Sequence, residues 1–200
     1  MKVTAIIGSP RKGGNTETLV NSVIEGCKST GEVEAVKISL LDKKIEFCKG
    51  CMTCCYPPPG TGKCVIKDDM EEILEQMRTS DAYIFGTPNH MGTITAPLLN
   101  FLSRMMPFFD FQIEYDDDGN MVGGEMSSKI KGIKTAVVIS QGDPFFSSTL
   151  VYAVLDKNLN DFRLHKIGDV FSYGNLDANS VSEKKEDLDK AFTLGTLLAK

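Results

Sequence analysis

Apolar positions along this chain recur in two periods that alternate with each other. A compact run, Val3, Ala5, Ile6 and Ile7, has the length of a buried strand and stops at Gly8. Leu19, Val20, Val23, Ile24 and Cys27 then fall on one helical face until Gly31 ends the pattern, and residues 33–38 alternate as a strand does. Residues 40–67 show neither period. Asp68 with Glu71 reads as a capping box for a helix whose buried stripe is Met70, Ile73, Leu74 and Met77. Residues 82–85 predict a third strand, and Thr95 caps a helix with Leu98, Phe101, Leu102 and Met105 on its apolar face and Pro97 in the tolerated first turn. From 108 to 126 the helical period is lost: Phe111, Ile113 and Tyr115 alternate, a turn with Asp118-Gly119 follows, and Met121-Val122 resume. That segment predicts an inserted β-hairpin, with Phe108, Phe109 and Phe111 exposed and in need of cover. Residues 135–139 supply the fourth strand of the main pattern, and Val151, Val154, Leu155 and Phe162 mark a helix. The fifth strand lies at 167–171 with His165 just before it, and Ser180 with Glu183 forms a second capping box ahead of the last helix.

Five strands alternating with helices predict an α/β chain, a doubly wound parallel sheet in the order 2-1-3-4-5 with the hairpin as an insertion, all within one domain of residues 1–200. In such a sheet ligands bind beyond the carboxyl ends of the strands, where the strand order reverses. Three loops should meet there: Ser9, Arg11, Gly14, Asn15 and Thr16 after the first strand, Thr87, Pro88, Asn89, His90, Met91 and Gly92 after the third, and Ser140, Gly142 and Asp143 after the fourth.

The first of these loops, GSPRKGGNT, is a phosphate cradle by composition. Gly13 and Gly14 let the backbone turn, and Asn15 and Thr16 place side-chain donors beside the free N–H groups of a helix N-terminus. Two nucleotide loops fail on residues: Gly14-Asn15 stand where a Walker A loop needs Lys followed by Ser or Thr, and Pro10 stands where the dinucleotide motif needs Gly. A hydroxyl-rich loop for one terminal monophosphate, such as that of FMN, remains. The second and third loops would then supply backbone donors and a flat surface to the isoalloxazine edge.

Composition narrows the partners. A chain of 200 residues, 42% hydrophobic and 24% charged, suits a single α/β domain with an ample core. The net charge of -5 offers no basic field for nucleic acid, and no run is apolar enough for a membrane span or a signal segment, so a cytoplasmic protein is expected. In that compartment the six cysteines should not be disulfides. Cys27 reads as a small core residue. Cys48, Cys51, Cys54 and Cys55, followed by Cys64, leave three readings open. Two consecutive C-x2-C spacings wrap thiolates around one centre as a 4Fe-4S cluster requires, structural zinc more often takes two separated pairs, and the segment can also hold no metal.

Taken together, GSPRKGGNT, the cysteine run leading into CVIKDDM, and TPNHMG resemble the iron-sulfur flavoproteins, a branch of the flavodoxin-like NAD(P)H-dependent FMN reductases. The likeness covers residues 1 to 105, with two departures: the gap from Cys54 to Cys64 is long, and His90 stands where many members carry an aromatic residue. The resemblance implies a flavodoxin-like fold and a flavin-dependent oxidoreductase. It also implies FMN held through Ser9, Arg11, Asn15 and Thr16, and a 4Fe-4S cluster held by Cys48, Cys51, Cys54 and Cys64. A ferredoxin or NAD(P)H would be the donor and a small molecule the acceptor, in a homodimer or homotetramer whose flavin lies near the neighbouring subunit's cysteine loop. Lys43, Lys44, Lys49 and Lys63 flank that loop and could meet an acidic partner.

Overall fold

The computed structural model describes residues 1–200. In chain order the elements are β1 (Lys2–Ile7), α1 (Asn15–Lys28), β2 (Glu34–Ser39), α2 (Met70–Arg78), β3 (Ala82–Pro88), α3 (Ala96–Ser103), β4 (Phe109–Tyr115), β5 (Met121–Ser128), β6 (Lys134–Ser140), α4 (Thr149–Asp161), β7 (His165–Ser172) and α5 (Lys185–Leu198). The parallel sheet runs β2-β1-β3-β6-β7, and β4-β5 form a separate antiparallel hairpin. Once the hairpin is set aside this is the expected order 2-1-3-4-5.

Both faces of the sheet are buried, because successive side chains point to opposite sides and neither side is left to water. Ile6, Tyr83, Phe85, Val137 and Ile139 face a core completed by α2, α3 and α4. Val3, Ala5, Ile7, Ile84, Ala136 and Val138 face a second core completed by α1 and α5. Those two helices approach closely. A Cβ on Gly26 would stand 2.0 Å from the Phe192 carbonyl and one on Gly195 1.9 Å from that of Val23, so neither position tolerates a side chain at this packing. Cys27 is buried there, and loss of solvent raises its thiol pKa to about 11. It is a core residue, as expected.

Three local expectations are corrected. Phe108 and Phe109 are buried rather than exposed: a single 3-10 turn over Met106–Phe108 rotates them inward, and Phe109 stacks on Phe162 with centroids 4.3 Å apart. Phe111 is half-buried beside them. The Ser180–Glu183 segment is itself a 3-10 turn rather than a capping box, and α5 begins only at Lys185. At the other box, Glu71 pairs with Lys67 at 3.2 Å instead of closing back. Asp68 does accept from the Met70 N–H at 3.1 Å, but its carboxylate also serves the Glu46 N–H and Arg104.

Candidate functional site

At the carboxyl end of β1 the chain turns through Gly13, at φ +64°, into α1, whose N-cap is Gly14. A residue at that φ would be strained if it carried a side chain. The first-turn N–H groups of Gly14, Asn15, Thr16 and Glu17 have no acceptor in the chain, and the helix dipole adds to their attraction for an anion. The exposed Arg11 stands beside them. Glu17 pins the turn from outside. Its carboxylate is held by Lys37 at 2.9 Å and accepts from the Gly13 N–H at 2.8 Å, which together keep its pKa below the ordinary range.

The side chains of this loop are used differently from the sequence expectation. Asn15 donates from Nδ2 to the Asp177 carbonyl at 2.6 Å and accepts from the Val181 N–H at 3.0 Å, so its carboxamide is spent on tying in the segment after β7. The Thr16 hydroxyl shares a hydrogen with Ser140 Oγ at 2.7 Å, and Ser9 Oγ closes onto the Arg11 backbone at 3.2 Å. The unpartnered donors at this helix start are the backbone N–H groups of residues 14–17.

The strand-end loops do converge. A cavity of about 240 Å³ is lined by Ser9, Arg11, Gly14, Asn15 and Thr16 from the first loop, Pro88, Asn89 and His90 from the second, and Ser140 and Gly142 from the third. Four expected residues lie outside its lining. The Thr87 hydroxyl turns back to the Pro88 carbonyl at 2.9 Å. Met91 and Gly92, both with positive φ, form the tip of a turn closed by His90 and Thr93, and Asp143 caps its own loop by accepting from the Phe145 N–H at 2.7 Å. The cavity also has a fourth wall that the sequence reading missed, Asn175, Leu176 and Ala178 after β7.

A chain of carboxamides fixes one acceptor at this cavity. Gln141 donates through Nε2 to the Asp143 and Phe146 carbonyls, so its Oε1 must accept, and it does so from Asn89 Nδ2 at 2.5 Å. Asn89 Nδ2 also reaches the Ser147 carbonyl at 3.0 Å. Asn89 Oδ1 is thereby oriented as an acceptor, and it is buried with no partner in the chain.

A second cavity, about 300 Å³, is lined by Cys48, Cys51, Cys54 and Cys64 together with Arg104, Met106 and Pro107. Cys55 is buried away from it, with its thiol on the Met52 carbonyl at 3.3 Å. All six cysteines are free thiols, and no three His, Cys, Asp or Glu side chains converge closely enough to ligate a single ion. The hairpin holds this segment: the Phe111 N–H donates to the Cys55 carbonyl at 3.0 Å and the Gly60 N–H to Asp110 Oδ1 at 3.0 Å. Desolvation, with Cys55 alongside, raises the Cys54 thiol to about 12, whereas hydrogen bonding from Thr53 lowers that of the exposed Cys51.

Residues 1–122 match the NADPH-dependent FMN reductase family. An iron-sulfur flavoprotein of Methanocaldococcus jannaschii is 36% identical over 169 residues, 82% of this chain and 80% of that protein. The chain belongs to the NADPH-dependent FMN reductase family. FMN and NADPH are the flavin and the donor that the family's name carries. An iron-sulfur flavoprotein of Archaeoglobus fulgidus is 39% identical over 109 residues, 54% of this chain and 47% of that protein. For it and for a Methanosarcina thermophila relative the match spans about half the relative's length, 47% and 52%. Among solved structures, an FMN-dependent NADH-azoreductase of Bacillus anthracis in complex with FMN superposes with a TM-score of 0.71 at 15% identity over 100% of both chains. An NAD(P)H:quinone oxidoreductase of Methanothermobacter marburgensis gives a TM-score of 0.71 at 14% identity over 98% of both chains. Those two likenesses show the flavodoxin-like fold.

Asn175 and Arg104 are among the residues that escaped the sequence reading. Asn175 follows a strand and a glycine, the same turn signal that marked the other loops, but it lies beyond the last strand, away from the expected switch point. Arg104 interrupts the apolar stretch 101–109 as its single charged residue. That interruption was the available signal.

Proposed function

We propose that this chain carries FMN in the cavity at the strand ends and a 4Fe-4S cluster in the cysteine-lined cavity, and passes electrons between a donor, NAD(P)H or a ferredoxin, and a small-molecule acceptor. The observation that carries this reading is the selection among thiols: Cys48, Cys51, Cys54 and Cys64 share one cavity and Cys55 is turned out of it. The residues present fit both groups. A four-thiolate set is the donor set of an iron-sulfur cluster, and an oriented, partnerless Asn89 Oδ1 with four free helix N–H groups suits a ligand with an N–H edge at one end and a phosphate at the other. When bound, FMN exchanges a hydride or single electrons and a cluster exchanges single electrons, so the pair converts one kind of transfer into the other.

The protein's part is binding and orientation. The N–H groups of residues 14–17 and Arg11 would hold the phosphate, with Thr16 and Ser140 locking the loops on which it rests. Asn89 would accept from the flavin ring, its amide held by Gln141, while Pro88, His90, Gly142 and Asn175 bound the remaining space. Met91, Phe145, Phe146 and Leu176 stand exposed on the loops around this cavity, which supports a homodimer or homotetramer in which a second copy covers them. The names of the archaeal relatives support the cluster.

Anaerobically purified protein should be yellow-brown and contain iron and sulfide. Cys51→Ala should keep its flavin and lose the iron, because the flavin loops take no bond from residue 51. A wild-type protein with flavin but no iron or sulfide would overturn the cluster reading and leave a cluster-free NAD(P)H-dependent reductase.

A further inference from the structure

Arg104 follows the last residue of α3, and its side chain is 1% exposed. Nη1 donates to Asp68 Oδ2 at 2.7 Å and to the Glu46 carbonyl at 2.5 Å, and Nη2 donates to Asp68 Oδ1 at 3.0 Å and to Cys64 Sγ at 3.6 Å. Nε is buried without a partner. One guanidinium therefore joins three points of chain: the residue two before Cys48, the last of the four cavity thiols, and the residue two before the start of α2.

Stability alone gives little reason for this arrangement. Two side chains at 1% and 2% exposure lose their hydration, and an apolar pair of similar volume serves a core as well or better. Leu98, Phe101, Leu102 and Met105 already form an apolar face that a leucine at 104 would extend. The cap at Met70 needs only the Asp68 carboxylate. An apolar residue could serve neither the Glu46 carbonyl nor the thiol of Cys64, and of these two only the thiol belongs to the four-cysteine cavity.

We propose that Arg104 is a positioning residue for Cys64: it holds that thiolate toward the cavity and, through an N–H to its sulfur, raises the reduction potential of the centre the thiolate ligates. The proposal rests on the reading that the cysteine cavity holds a cluster. Reduction there adds one electron, from the flavin or an external one-electron donor, with no bond broken and no proton required. The added negative charge is spread over the ligand sulfurs, and a hydrogen bond to one of them stabilises the reduced form more than the oxidised one. Asp68 fixes the guanidinium by a two-pronged contact that a lysine cannot reproduce.

The test compares wild type, Arg104→Lys, and the double variant Arg104→Gln with Asp68→Asn, which leaves no unpaired buried charge. Each is purified anaerobically, checked by circular dichroism and FMN content, assayed for iron and sulfide, and titrated potentiometrically with its own flavin as internal reference. The expected result is unchanged flavin content and flavin potential in all three. In the double variant the cluster is either lost or shifted toward its oxidised form about tenfold, about 59 mV more negative. Arg104→Lys should fall between the two. Loaded variants with wild-type cluster potential and iron content would overturn the proposal and leave the cluster standing. Wild type without iron or sulfide would overturn both. Should the double variant not fold, Arg104→Lys decides alone, and wild-type loading and potential in it overturn the proposal.

Discussion

Replacing Asn15 with Ala tests whether this residue binds phosphate or builds the loop that does. In the structure both ends of its carboxamide are used inside the chain, at 2.6 Å to the Asp177 carbonyl and 3.0 Å from the Val181 N–H. Each bond contributes about 1 kcal/mol net, so the variant should lose about 2 kcal/mol of stability without any ligand. For a chain of this size that lowers the melting temperature by about 4–8 °C. Flavin affinity should fall less than about tenfold, since the backbone N–H groups of residues 14–17 are untouched and only the fourth wall is loosened. A side chain spent on the phosphate would behave in the opposite way. Loss of a hydrogen bond to a charged group, about 1.5–3 kcal/mol, would weaken FMN about 10- to 150-fold and leave the apoprotein's melting unchanged. Differential scanning calorimetry of apoprotein and flavin-fluorescence titration separate the two, and an unaltered apo melting temperature with strongly weakened FMN would refute the structural role.

The remaining predictions concern the hairpin, the pH limb and the protein donor. Phe109→Ala should cost about 3–5 kcal/mol in chemical denaturation because it unstacks Phe162 inside the core, whereas an exposed phenylalanine would cost under about 0.5 kcal/mol. Glu17 has a folded-state pKa below its unfolded value of about 4.3, chiefly through Lys37 and then the Gly13 N–H. Its contribution is therefore complete above about pH 5 and fades as pH falls through the folded value. Apoprotein melts from pH 6 to 3 should show Glu17→Gln less stable at the top of that range and equal to wild type at the bottom; a constant gap would contradict the assignment. Lys49 and Lys63 flank the cysteine cavity without an ion pair, so Lys49→Glu with Lys63→Glu should slow reduction by an acidic protein donor and flatten its salt dependence, while NAD(P)H-driven turnover stays level. Equal losses with both donors would remove the patch from consideration.

The sheet order was legible because a parallel sheet buried on both faces leaves strong apolar runs between helical stripes, and right-handed crossovers permit few arrangements of them. The loops were legible because strand ends at a switch point must meet. The direction of individual side chains was not. Asn15 and Thr16 carry donors suited to a phosphate, but Asp177, Val181 and Ser140 compete for the same groups from more than a hundred residues away, and nothing local announces them. Phe108 and Phe109 read as surface aromatics because they were placed in an inserted hairpin, and the ring that covers Phe109, Phe162, lies far along the chain. Asp68 matched a local capping pattern and was also serving a buried partner 36 residues away.

The two cavities are linked by α3, and the link bears on whether they can be perturbed separately. At the helix start Thr95 caps Leu98 and donates to the Gly8 carbonyl at 2.6 Å, next to Ser9 of the cavity at the strand ends. Beyond its end Arg104 grips Cys64 and Asp68. Eight helical residues at 1.5 Å each make a strut of about 12 Å, stiff and bonded at both ends. The irregular chain between β2 and α2 does not set the spacing; it hangs from that strut and from the hairpin, through Asn100 to the Ile45 carbonyl and Phe111 to the Cys55 carbonyl. Loosening the cysteine segment therefore leaves Thr95 and Gly8 in place, and the flavin loops keep their geometry. Disturbing Thr95 does the reverse: with the N-cap and the Gly8 bond both lost, the helix start shifts against β1 and the strand-end cavity is affected first. The asymmetry follows from which end of α3 is tied to the sheet. Cysteine variants should accordingly yield flavin-bearing protein, and Thr95 variants should not spare the flavin.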